Sequence, residues 1–103
     1  MAWLKVAHLE EIPRLGSRVL ETENGNIALF RNSSDEVFAL RDRCPHKGGV
    51  LSQGIVHGCK VTCPLHSWMI DLEKGEAVAP DVGKVKTYPI QVKGGDVYLE
   101  IAE

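Results

Sequence analysis

The chain has 103 residues, room for one domain and little more, with an ordinary balance of 44% hydrophobic and 25% charged residues. Its formal net charge of -2 contains no long run of one sign, which excludes the clustered basic face of a nucleic-acid binder and a polybasic membrane patch. No apolar stretch approaches the roughly 20 residues of a membrane helix, and the first residues lack the charged and apolar regions of a signal peptide, so a cytoplasmic protein with no membrane or nucleic-acid partner is expected.

In chain order, residues 3–7 alternate as a first strand, with Trp3 expected in the core, and 10–12 before Pro13 allow one short helical turn. Residues 19–22 and 27–31 flank Asn24-Gly25, a hairpin signal because its turn positions need positive φ. Residues 32–35 form a turn and 36–40 another strand. At 44–49 the alternation is broken by Pro45, Gly48 and Gly49. Residues 54–57 and 60–62 predict a tight hairpin across Gly58-Cys59, and a second loop starts at Cys63-Pro64. A strand resumes at 68–72 and turns at 73–75. The stretch 84–92 contains Pro89, which implies an edge or bent strand. Gly94-Gly95-Asp96 then turns the chain into a last strand at 97–101. No segment keeps a helical period for the roughly 10–12 residues a helix requires. The expectation is an all-β chain of about eight to ten short, mainly antiparallel strands, a sandwich or small barrel spanning 1–103 as a single domain.

Three cysteines, an odd number, argue against a disulfide framework and turn attention to metal. Two segments carry the chemistry: Cys44-Pro45-His46 and Cys63-Pro64-Leu65-His66, with sixteen residues between His46 and Cys63. Each pairs a thiolate with an imidazole, and the proline after each cysteine fixes φ and stiffens the loop. A structural zinc site groups cysteine with cysteine and histidine with histidine, whereas here the ligands are mixed within each pair; zinc remains chemically possible.

The two segments more closely resemble the Rieske motif, Cys-x-His followed by Cys-x-x-His. The resemblance implies a Rieske-type antiparallel β-sandwich or barrel, with a cluster-binding subdomain of two hairpin loops at about 42–71. It also implies a [2Fe–2S] cluster, with Cys44 and Cys63 on one iron and His46 and His66 on the other. Backbone N–H groups of 47–49 are then candidate donors to the cluster sulfides, which together with charge and exposure set reduction potential. Leu65, Pro45 and Pro64 would form an apolar rim for a partner, and Trp68 would shield the cluster. Cys59 and His57 do not fit the motif and are expected to be a non-ligand thiol and a turn-side polar residue. His8 shows no partner pattern. Nothing resembles a nucleophile with its base, so no catalytic residue is assigned.

Rieske proteins of respiratory complexes add a disulfide between the two loops, and serine and tyrosine hydroxyls that bond the cluster. At the matching positions this chain has Gly49 and Leu65, then Trp68 and Ile70. Losing those donors implies a potential at the low end of the roughly −150 to +300 mV Rieske range, suited to an electron from a flavin rather than a quinol.

Cys-Pro-His-Lys-Gly-Gly at 44–49, together with the text of 51–58, 61–68, 70–72, 75–78, 80–81 and 87–89, is similar to the small subunit of assimilatory NAD(P)H-dependent nitrite reductase. That family implies an accessory electron-transfer subunit of a large flavin, iron–sulfur and sirohaem protein that reduces nitrite to ammonium. The alternative is the Rieske ferredoxin of an aromatic-ring-hydroxylating dioxygenase, with reductase and oxygenase components as partners. A further alternative is a non-redox structural or regulatory subunit, which metal analysis separates from the other two.

Overall fold

The computed structural model describes residues 2–22, 25–43, 50–64, 68–79 and 82–101, with the side chains of Ala2 and Ile101 left aside. Eleven strands lie among the described residues: β1 (Ala2–His8), β2 (Gly16–Thr22), β3 (Gly25–Arg31), β4 (Val37–Arg41), β5 (Ile55–His57), β6 (Lys60–Thr62), β7 (Met69–Asp71), β8 (Glu76–Ala77), β9 (Thr87–Tyr88), β10 (Ile90–Lys93) and β11 (Asp96–Ile101). Two 3₁₀ turns, Leu9–Glu11 and Leu51–Gln53, are the helical elements described. The all-β, antiparallel expectation holds, with one strand more than the range anticipated.

The strands form three antiparallel sheets in the orders β1-β11-β10, β2-β3-β4-β9 and β5-β6-β7-β8. Alternation along β3 and β4 explains how they pack. Ile27, Leu29, Val37 and Ala39 point into one core with Ala7, Ile12, Val97 and Leu99 of the first sheet's side. Ala28, Phe30 and Leu40 point the other way, into a second core with Leu51, Val56, Val61, Cys63, Ile70 and Leu72. Burial on both faces is why β3 reads as a nearly continuous apolar run instead of an in–out alternation. The third sheet is buried on one face only: Val56, Val61 and Ile70 face the core, while their neighbours Ile55 and Met69 are exposed.

Several expectations change in detail. Asn24 lies outside the described residues, and the register sets Gly25 opposite Thr22, so Gly25 opens β3 instead of turning the hairpin. The expected 84–92 strand divides at Pro89 into β9, at the edge of the middle sheet, and β10, at the edge of the first. Proline lacks the N–H that a continuous ladder needs, so the chain changes sheets there. The short β8 and the 51–53 turn had no periodic signal. Trp3, expected inside, is 45% exposed.

Two polar devices hold the connections. Arg31 donates to the carbonyls of Leu9 (3.1 Å) and Ile12 (3.0 Å) and pairs with Asp35 at 2.8 Å, tying the first 3₁₀ turn to β3. Buried Asn32 closes the β3–β4 turn, its Oδ1 accepting from the N–H groups of Ser34 and Glu36 at 3.0 and 2.9 Å.

Two measurements check this arrangement. Gly75 is buried with φ 67, and an added Cβ would lie 2.7 Å from Thr87 Cγ2 and closer still to the Val85 carbonyl. Gly75→Ala should therefore cost about 2 kcal/mol or more in urea denaturation. The hydrogen bond from Arg31, joined by one from Arg14, holds the Asp35 carboxyl below its ordinary value of 3.8. A depressed carboxyl stabilises the fold above its unfolded-state titration, and that stability is lost as pH falls through the folded-state value. The stability gap between wild type and Asp35→Asn should be constant above about pH 5 and narrow below about pH 4.

Candidate metal centre

Of the four residues expected to hold metal, Cys63 lies among the described residues; Cys44, His46 and His66 lie outside them, as do Pro45 and Leu65 of the expected apolar rim. Cys63 follows β6 directly. Its N–H donates to the Trp68 carbonyl at 2.6 Å, joining the end of β6 to the start of β7. The side chain is 1% exposed, forms no disulfide and packs in the second core with Val61, Ile70 and Leu51. Half-buried Trp68 packs against the same core, and Pro64 is exposed.

The segment 44–49 is bracketed by Asp42, after β4, and Ser52, in the second 3₁₀ turn. Asp42 Oδ1 accepts from the Ser52 N–H and Oδ2 from the Ser52 hydroxyl, both at 2.7 Å. The Asp42 N–H donates to the Asn26 carbonyl at 2.9 Å, and the Ser17 hydroxyl donates to the Ser52 carbonyl at 2.7 Å. Leu51 is fully buried beside Cys63. Gly54 runs against β6 so closely that a Cβ there would lie 2.9 Å from Val61 Cγ2 and closer to the Thr62 carbonyl. The exit of the first loop is thus seated on the strand that delivers Cys63.

Cys63 is a buried, free thiol at this junction, and the sequence of the adjoining segments contains one more cysteine and two histidines, a set of residue types that chemically suits a [2Fe–2S] group. Asp42, Ser52 and Gly54 were not singled out from sequence. The one available signal was their placement, immediately flanking the ligand-bearing stretches.

Other candidates separate from this junction. Cys59 sits in the β5–β6 turn, at the far end of β6 from Cys63, with its sulfur 3.9 Å from Glu36 Oε1 and Glu73 nearby. Burial pushes its thiol up, and the charges of Glu36, Glu73 and Asp71 push the same way, disfavouring the thiolate that a metal requires. His57 is exposed, with Nε2 at 2.7 Å from the Thr62 hydroxyl. His8 does have a partner, Asp96, at 2.7 Å. Among the described residues no helix is long and apolar enough to cross a membrane.

Comparison with known proteins shows the family and the fold. The chain is 38% identical, over its whole length and 98% of the relative's, to the 3-phenylpropionate/cinnamic acid dioxygenase ferredoxin subunit of Photorhabdus laumondii. It superposes on the ferredoxin of carbazole 1,9a-dioxygenase from Nocardioides aromaticivorans with a TM-score of 0.83, at 24% identity, covering 96% of this chain and 97% of that one. A protein described as an NADH-dependent nitrite reductase small subunit from Mycobacterium tuberculosis superposes at 0.84, with 22% identity, covering 99% and 97%. Both superpositions establish the fold. The model of the Rieske-like [2Fe-2S] domain matches residues 2–100, and the chain belongs to that family.

Proposed function

We propose that the protein is the ferredoxin component of an aromatic-ring-hydroxylating dioxygenase system, taking single electrons from a flavoprotein reductase and passing them to an oxygenase. The observation that carries this reading is the dioxygenase ferredoxin subunit that is 38% identical across the full chain. The text of 44–49 and of the stretches that follow it to 89 is similar to a nitrite reductase small subunit instead. That second reading rests on resemblance concentrated within residues 44–92 and on a likeness of fold at 22% identity, so the 38% identity across the full chain favours the dioxygenase ferredoxin.

In this reading Cys44, Cys63, His46 and His66 would hold the cluster. When bound, the cluster supplies reversible one-electron transfer. The chain's own contribution is placement and shielding. Cys63 arrives from the core with its backbone already bonded to Trp68, and Trp68 covers the apolar side of the junction. Ile70 is fully buried and directed into the core, so neither Trp68 nor Ile70 offers the hydroxyl donor found in high-potential relatives. Fewer donors leave the reduced, more negative state less favoured.

Three measurements test these assignments. Protein voltammetry should place the midpoint below zero, in the lower part of the roughly −150 to +300 mV Rieske range; a clearly positive midpoint contradicts the donor argument. Replacing any one of the four ligands, as in Cys44→Ser or His66→Ala, should abolish the visible iron–sulfur spectrum, while Cys59→Ser should leave it intact. In stopped-flow mixing, the reduced protein should be reoxidised rapidly by a Rieske oxygenase component from the same organism. Rapid reoxidation by a sirohaem reductase subunit alone would favour the nitrite reductase reading.

A further inference from the structure

Asp42 and Ser52 stand on either side of the segment that contains Cys44 and His46, and one carboxylate bonds both donors of the serine. The pair is tied to the fold beyond itself. Asp42 is fixed to β3 through its N–H and the Asn26 carbonyl, and Ser52 to β2 through its carbonyl and the Ser17 hydroxyl. Ser52 also follows Leu51, which is fully buried in the core that contains Cys63. The distance between Asp42 and Ser52 is therefore set by two hydrogen bonds to one carboxylate, and Ser52 is referenced through Leu51 to the core that contains the other cysteine.

We propose that Asp42 is a positioning residue for the metal centre: through Ser52 it fixes the chain on either side of 44–49 relative to the core that contains Cys63. The inference rests on the assignment of Cys44 and His46 as ligands. A loop with untied ends samples more conformations, and each excursion that separates the loops exposes a route to iron loss. The clamp acts through hydrogen-bond geometry and not through charge. Asparagine at 42 is isosteric: its oxygen can accept from the Ser52 N–H, and the serine hydroxyl can rotate to accept from the amide. Alanine loses both bonds.

The test compares Asp42→Asn, Asp42→Ala and Ser52→Ala as cluster-loaded proteins, reading the rate of iron release to a chelator and the EPR spectrum of the reduced form. Asp42→Ala should release iron about tenfold faster than wild type and show shifted or broadened g-values. Asp42→Asn should stay within about twofold of wild type with an unchanged spectrum, and Ser52→Ala, which keeps the backbone bond, should fall between. Wild-type release and an unaltered spectrum in Asp42→Ala would overturn the proposal. So would an Asn variant as impaired as the Ala variant, since the effect would then be one of charge. A cooperative melt of each cluster-free variant establishes folding. If Asp42→Ala does not fold, Ser52→Ala decides, with wild-type behaviour there overturning the idea. A Cys44→Ser variant that kept the wild-type spectrum would refute the ligand assignment itself, separately from the clamp.

Discussion

Side chains of β3 and β4 enter two separate cores in alternation, and the placement of the other elements depends on that arrangement. One face of the middle sheet takes up the first sheet, the other takes up the small third sheet with its 3₁₀ turn. Burying Phe30, Leu29 or Leu40 contributes about 1.5–3 kcal/mol each, whereas an exposed pair such as Lys84–Glu76 contributes about 1 kcal/mol at most. The third sheet has strands of two or three residues, too short for hairpins to stand alone in water. Its order is borrowed from the middle sheet through Ala28, Phe30 and Leu40.

That dependence suits a metal centre whose ligands come from two loops. Neither short hairpin could hold a fixed distance to the other by itself. The loops are referenced to a common core: Cys63 is part of it, Leu51 is part of it, and Gly54 lets the chain lie directly on Val61 and Thr62. A site built in this way is held by the rigid elements behind it, which is what a carrier needs if it is to exchange an electron with little rearrangement.

The two thiols at the ends of β6 show how much setting matters. Both are cysteines in the same strand region, yet Cys63 is enclosed by apolar side chains at the loop junction while Cys59 faces Glu36 and Glu73. A similar point applies to partner choice. Residues adjoining the ligands answer to the cluster, which the candidate subfamilies share, so they say little about which enzyme is served. Similarity spread over the whole chain carries more of that information.

Period-two alternation and turn residues determined, from sequence alone, that the chain is antiparallel β. Two cysteines and two histidines at Rieske spacing, with Gly49, Leu65, Trp68 and Ile70 in the places of extra donors, determined the kind of centre expected. Alternation specifies which residues share a face but not which face is covered, so Trp3 was misplaced in the core. It also cannot say which sheet a strand joins, and β9 and β10 part company at Pro89 because their pairing partners, β4 and β11, lie in different sheets. The Asp42–Ser52 clamp and the need for glycine at 54 arise from contacts between residues seven to ten positions apart. Such contacts exist only once register and packing have brought the segments together, and so the tertiary structure alone decided them.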